Sequence, residues 1–264
     1  MSKKRAKTTL DNRDRKLTEG IGMRYELYYW PGIQGRGEFV RLALEAGGAD
    51  YIDVARRSER SGMGMSALLR LLESADTPCP PFAPPFLKAG EQLIAQTANI
   101  LLFLGPRLGL APEDEAGRLW VHQLQLTIAD LVVEAHDTHH PVSVDLYYEE
   151  QKPEAARRAA EFTGARLPKF CGYFEAVLAR NPQGDAWLAG GALSYADLSL
   201  FQTVQGLRYA FPRAMKQLQA DTPRLLRLHD RVEALPRIKA YLKSKRRLPF
   251  NNEDVFRHYR ALDA

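Results

Sequence analysis

The sequence predicts two domains of different class, an α/β domain running βαβ then ββα, followed by an all-helical domain. Three observations carry this. Up to residue 108, short aromatic and β-branched runs alternate with helical spacing and turn residues. From residue 114 onward only the 3-4 apolar spacing of helices remains. The chain has 264 residues, enough for one large or two small domains.

Taken in order, Tyr25–Trp30 reads as a strand that Pro31–Gly32 ends. Gly35–Gly47 reads as a helix with Val40, Ala43, Leu44 and Gly47 on one face, stopped by Gly47–Gly48. Tyr51–Val54 is a second strand. A β-α-β opening favours a right-handed crossover and a parallel strand pair. Residues 55–81 are looser, with a short helix at Ser66–Ser74 and a Pro-rich turn. Phe86–Lys88 and Gln92–Ala95 form a hairpin around Ala89–Gly90, and Thr97–Leu108 is helical with Ile100, Leu101 and Leu104 inward. A small mixed sheet with helices on both faces is the thioredoxin-like arrangement. In the second part, four sets keep the 3-4 spacing: Leu124/Ile128/Leu131/Ala135, Leu167/Phe170/Phe174/Val177, Phe201/Val204/Leu207/Phe211 and Leu225/Leu228/Val232/Leu235. The domain division expected is a basic tail over 1–22, the thioredoxin-like domain over 23–108, a linker at 109–113, helices over 114–245 and an extension over 246–264.

The charge narrows the partner classes. The net charge is +5, but residues 1–22 hold seven Lys/Arg against three acids, leaving only +1 for the rest. The body is near neutral, so the charge argues little for nucleic acid. The polar tail reads as disordered, as a nucleic-acid-binding arm, or as an artefact upstream of a start at Met23. No apolar run reaches the ~18 residues of a membrane span, and the N-terminus carries no apolar secretory core. The two cysteines, Cys79 and Cys171, fit neither a disulfide framework nor a metal site, which points to a reducing cytoplasmic setting and to no bound metal.

Four places carry chemistry. In Ala83–Pro84–Pro85–Phe86 a proline precedes a strand, where a cis bond makes a tight turn and leaves a backbone edge for an extended peptide. Either proline is a candidate for the cis bond. Gln96–Thr97 opens a helix whose free N–H groups and positive dipole end suit a carboxylate. Tyr28 and Tyr29 close strand one, where a hydroxyl can stabilise a thiolate; both residues also read as packing. Ser194–Tyr195–Ala196–Asp197 reads as a capping box with Asp in place of Glu, stapled by Leu193 and Leu198, and is structural.

In this order and spacing, YELYYWPGIQGRGEFVRLALEAGG, APPFLKAGEQLIAQTANILLFLG, GGALSYADLSLFQ and TPRLLRLHDRVEALPRIKAYLKS resemble the Tyr-type (alpha, mu, pi, sigma) cytosolic glutathione transferases, over residues 23–245 and in a bacterial-type form. The resemblance implies a transferase that conjugates the glutathione thiolate to hydrophobic electrophiles, with glutathione as co-substrate, no cofactor and a homodimeric assembly. It implies Tyr29 as the catalytic hydroxyl, with Tyr28 its rival because the following loop is one residue longer than usual. It implies Pro85 as the cis proline and Pro84 as the backbone clamp, offering only its carbonyl; were Pro84 cis, Ala83 would be the clamp. Gln96 and Thr97 match the pair for the γ-glutamyl end, and Glu134, with Asp137 as alternative, the acid supplied across the dimer. Arg56, Arg57 and Arg60 are alternatives for the glycine carboxylate. Trp120, Tyr147, Tyr148 and Tyr209 are offered as an apolar wall. A non-catalytic glutathione-binding or interaction module on the same fold is the alternative.

Overall fold

The computed structural model describes residues 24–263; the basic tail and the Met23 alternative lie outside the described residues. Strand β1 (Tyr25–Tyr28) leads through α1 (Gly37–Gly47) to β2 (Tyr51–Asp53), and α2 (Met65–Leu72) follows. The hairpin β3 (Phe86–Ala89) and β4 (Gln92–Ala95) precedes α3 (Thr97–Arg107). The sheet order is β2-β1-β3-β4, with β1 parallel to β2 and antiparallel to β3. This is the mixed thioredoxin-like sheet. The first strand ends two residues earlier than its aromatic run suggests, because the register to β3 stops where Tyr28 meets Phe86, at the Pro-Pro turn. Tyr29 and Trp30 therefore open the loop that follows.

The rest is helical: α4 (Glu115–Asp137), α5 (Lys152–Glu161), α6 (Leu167–Arg180), α7 (Tyr195–Ala210), α8 (Pro212–Gln217), α9 (Pro223–Ala234) and α10 (Pro236–Leu242). Of the four 3-4 sets read from the sequence, all but Leu235 are buried in one helical core, and Leu235 packs against it. The capping box at Ser194 is present: the Asp197 carboxylate accepts the Ser194 amide at 2.8 Å and the Leu188 amide at 2.8 Å.

Helix α1 belongs to both halves. Val40 and Leu44 pack under the sheet with Leu27, Leu87, Ile100 and Leu104, while Phe39, Leu42 and Ala43 join the helical core. One inward face was expected; a helix clamped between two layers is buried on both. Its charged residues are buried as well. Arg41, fully buried, bonds Asp53 through Nε at 2.7 Å and Glu38 through Nη1 at 3.1 Å. Glu38 in turn accepts from the Tyr241 hydroxyl and from Arg247, each at 2.6 Å. A buried ion set of this kind costs desolvation that close opposite charges offset, and here Arg41 Nη2 and Asp53 Oδ1 stay without a hydrogen-bond partner among the described residues. Its partners come from β2 and from α10 and the residues after it, so it locks α1 at the junction.

The segment after α10 does more than cover the helices. The Gln34 side chain donates to the Leu248 carbonyl at 2.5 Å, and the Asp254 carboxylate accepts the Gln34 and Gly35 amides at 3.0 and 2.8 Å. Further on, the Asp263 carboxylate caps α8 by accepting the Arg213 and Ala214 amides at 2.7 and 3.0 Å. Phe256 lies so close to Gly206 that a Cβ there would sit 2.2 Å from its ring. The chain end is thus strapped from α8 across α7 to the loop after β1.

Candidate active site

Two helix starts lie far apart in the sequence, and the tertiary structure brings them together. Arg36 immediately precedes α1 and Gln96 immediately precedes α3. The Thr97 hydroxyl is 3.4 Å from the Arg36 carbonyl, so the two N-termini meet. Each presents the positive end of a dipole, although at α1 the Arg36 amide is taken by the Tyr29 hydroxyl and the Glu38 amide by the Gln34 carbonyl. Beside them opens a cleft of about 490 Å³ lined by Arg36, Gln96, Thr97 and, from α4, Gln125, Leu126 and Val133. Polar Arg36, Gln96 and Thr97 face the apolar α4 side chains Leu126 and Val133 across it.

Gln96 is held at φ 68°, the only non-glycine at positive φ among the described residues. Such backbone costs on the order of 1–3 kcal/mol and persists where surroundings impose it, typically at functional sites. The Pro84–Pro85 bond is cis, so Pro85 is the cis residue and Pro84 the one before it. Both prolines are buried next to Phe86, which opens β3.

The two tyrosines part company. The Tyr28 ring stacks on Phe86 with centroids 4.9 Å apart, and its hydroxyl donates to Glu26 at 2.7 Å. The Tyr29 hydroxyl instead accepts the Arg36 amide at 2.9 Å. Successive side chains point to opposite sides of an extended segment, which is why the neighbours differ. Tyr29 is 3% exposed and does not line the cleft; Gly35 and Gly37 lie over its ring. A Cβ on Gly35, itself at φ 44°, would fall 1.9 Å from the Tyr29 oxygen, so glycine is required there. Burial, with the Asp254 charge adding to it, pushes the Tyr29 phenol up to about 12, so it stays protonated at neutral pH. Among the described residues its proton is given no acceptor.

Other expected residues fall elsewhere. Glu134 is chelated within its own chain by Arg166, at 2.6 Å, and by Arg158, at 3.3 Å; the hydrogen bond from Arg166 is the main cause holding its carboxyl below the usual range. Asp137 sits 3.5 Å from His136. Arg56 is engaged by the Arg246 carbonyl at 2.6 Å and Asp53 at 3.6 Å, while Arg57 and Arg60 are exposed and outside the cleft. The proposed apolar wall disperses: Trp120 lines a separate cleft with Tyr173 and Leu188, Tyr148 stacks on Tyr259 and Tyr209 on Phe250, and Tyr147 is exposed. Cys171 is a buried packing cysteine whose thiol burial pushes up to about 12, and Cys79 is exposed; both are free.

Sequence reading missed Gln125 and His122 in the cleft wall, whose Oε1 and Nδ1 are buried without a hydrogen-bond partner among the described residues. It also missed Asp254 behind Gly35, and a histidine cluster at the end of α4. Desolvation lowers the basicity of His136, His139 and His140, with His139 reaching about 3. The spacing His136-x-x-His139-His140 was the available signal.

Residues 136–245 match the family model described as the glutathione S-transferase C-terminal domain. A glutathione S-transferase of Plasmodium falciparum is 24% identical over 231 residues, covering 86% of this chain and 98% of the relative. Glutathione S-transferase Mu 6 of Mus musculus is 27% identical over 229 residues, covering 84% and 92%. Among solved structures, the Pi-class glutathione S-transferase of Onchocerca volvulus superposes with a TM-score of 0.65 at 22% identity, over 87% of this chain and 98% of that one. At that identity the structural likeness is one of fold. These matches give no support to a bacterial-type assignment. Family model, relatives matched over nearly their whole length and fold agree in supporting a member of the cytosolic glutathione transferase family.

Proposed function

We propose that the protein conjugates glutathione to hydrophobic electrophiles, working as a glutathione S-transferase with glutathione as co-substrate and no further cofactor. The observation that carries this is the pair of helix N-termini meeting at Arg36 and Gln96–Thr97, beside the cis Pro84–Pro85 turn and the Tyr29 hydroxyl. In this reading the γ-glutamyl carboxylate takes the N–H groups at Gln96–Thr97 and the Thr97 hydroxyl. The cysteinyl backbone pairs along the Pro84–Pro85 edge, Pro84 offering its carbonyl. The thiol loses its proton to solvent, and the Tyr29 hydroxyl, braced by the Arg36 amide, donates its hydrogen bond to the thiolate. Stabilising the anion lowers the thiol pKa and supplies the nucleophile. Glu134 keeps a structural part, tying α4 to Arg158 and Arg166. The exposed Asp130, one turn earlier and beside the cleft residues Leu126 and Val133, is better placed to serve a second chain.

A homodimer fits the surface. Leu119, Leu126 and Val133 recur every seven residues along α4 and are 64%, 48% and 46% exposed. Phe82, just before the prolines, is 92% exposed. An exposed apolar stripe and a protruding aromatic are what a self-associating face would bury. Domain limits at 23–108 and 114–245, with 109–113 between them, fit the observed elements. Among the described residues no helix is long and apolar enough to cross a membrane; a cytoplasmic location belongs to this same reading.

Calorimetry with glutathione tests the site. Wild type should bind, and Gln96→Ala should weaken binding about tenfold, the scale of a lost hydrogen bond to a charged group. The burial of Tyr29 favours the second reading, a glutathione-binding module without turnover. Normal glutathione binding with no lowering of the thiol pKa would select it.

A further inference from the structure

Three of the chain's six histidines stand within five positions, His136 in the last turn of α4 and His139 and His140 just beyond it. Their ring centroids are 4.9, 5.4 and 4.7 Å apart, and one ring nitrogen from each lies within 4.8 Å of the others. We propose that His136, His139 and His140 form a binding site for a borderline transition-metal dication of the Zn²⁺ type, with three imidazole nitrogens as ligands.

The contacts around the rings fix which nitrogens face the site. His139 Nε2 is 2.9 Å from the Val255 carbonyl, which can only accept, so Nε2 carries the proton and Nδ1 holds a lone pair. That Nδ1 points at His140 Nδ1, 2.5 Å away. His136 Nδ1 faces the Asp137 carboxylate at 3.5 Å, which leaves Nε2 as its lone-pair nitrogen. A metal-bound histidine is oriented in this way, its other ring N–H given to a carbonyl or carboxylate. Without metal, the short contact requires His140 to donate its Nδ1 proton to His139. Metal replaces that shared proton, and the His140 proton moves to Nε2.

Bond lengths near 2.0–2.1 Å about a tetrahedral ion need ligand nitrogens about 3.3 Å apart, so the His139–His140 pair must open slightly. His140 and His136 are partly exposed and can turn, whereas His139 is 1% exposed and held by Val255 and the nearby Tyr259 ring. Three imidazoles select Zn²⁺, Co²⁺, Ni²⁺ or Cu²⁺ over Ca²⁺ and Mg²⁺. The charges of Arg36 and Arg257 act on the cluster and oppose a cation. They weaken the affinity and suit an anion in the fourth position. The sequence reading counted only cysteines as ligands and so expected no metal.

The test uses the untagged full chain carrying Cys79→Ser, which removes the exposed thiol as a competing ligand. Zn²⁺ is titrated by calorimetry, and Co²⁺ by its visible absorption. The expected result is one ion per chain, a Co²⁺ band of four-coordinate intensity, and about tenfold or greater weakening in His136→Ala and in His140→Ala. Both variants leave the buried His139 intact, and their thermal melts without metal report folding. Saturable Zn²⁺ binding should also raise the melting temperature of the parent but not of the double variant combining His136→Ala with His140→Ala. Equal Zn²⁺ affinity in the parent and the folded double variant would overturn the proposal, as would absence of saturable binding in the parent. Either result would make the three rings a packing cluster.

Discussion

Asp254 Oδ1 accepts the Gly35 amide at 2.8 Å across 219 positions of sequence, while Oδ2 accepts the neighbouring Gln34 amide at 3.0 Å. The carboxylate is buried, and desolvation raises its pKa against the pull of these amides. It therefore spends its hydrogen-bonding capacity on the loop that presents Arg36 to Tyr29. In Asp254→Asn the charge is lost and one amide acceptor becomes a donor. We expect about 1–3 kcal/mol lost in stability. The glutathione thiol pKa should rise as the loop loosens. Denaturant unfolding and a thiolate absorbance titration check the two effects; a stability loss with an unchanged thiol pKa would confine Asp254 to structure.

Tyr29→Phe removes the proposed donor to the thiolate. Loss of a donor to an anion raises the pKa of the conjugate acid, so the midpoint of thiolate formation should move up by about one unit or more. The phenol's own ionisation has the opposite signature. Its pKa is raised from 10.0 to about 12 on folding, so its stability contribution is present below pH 10 and lost as pH rises through about 12. That alkaline loss should be smaller in the Phe variant, measured by melts across this window. An unmoved thiolate midpoint would remove Tyr29 from the chemistry.

Gln96 offers a trade between stability and binding. At φ 68° a side chain is strained and glycine is not. Gln96→Gly should therefore be neutral or up to about 1 kcal/mol more stable, while glutathione binding weakens about tenfold with the amide gone. Thermal melts and calorimetry read the two separately; a destabilised variant with unchanged affinity would contradict the assignment.

Asp197 is a test of the core alone. Its carboxylate takes the Leu188 amide, the Ser194 amide and the Ser194 hydroxyl, at 2.8, 2.8 and 2.6 Å. Asp197→Ala strands buried donors, and we expect about 2–4 kcal/mol of destabilisation, with no change in affinity for glutathione in the protein that remains folded. The denaturant midpoint should shift with an unchanged m-value.

The stripe on α4 predicts the assembly. Leu126→Glu together with Phe82→Ser places a charge and a hydroxyl where an apolar face would close, and should shift the sedimentation mass from dimer to monomer at micromolar protein. A wild type that sediments as a monomer would remove the interface altogether.

Local chemistry wrote most of the fold into the sequence. The four 3-4 sets, the β-branched and aromatic runs, the Pro-Pro turn before β3 and the Ser194–Asp197 cap act over a few residues, so their pattern is visible in order along the chain. What only the tertiary structure decided depends on partners far apart. Even the near partners of Tyr28 and Tyr29, Glu26 for one hydroxyl and the Arg36 amide for the other, depend on how the loop folds back and leave no pattern in the sequence. The commitment of Glu134 turned on two arginines from α5 and the turn after it. Asp254 against Gly35, and Val255 against His139, were illegible because a hydrogen bond across more than a hundred positions leaves no periodicity in the sequence. Spacing encodes what a segment does to itself; convergence of segments is set by how the two cores pack on either side of α1.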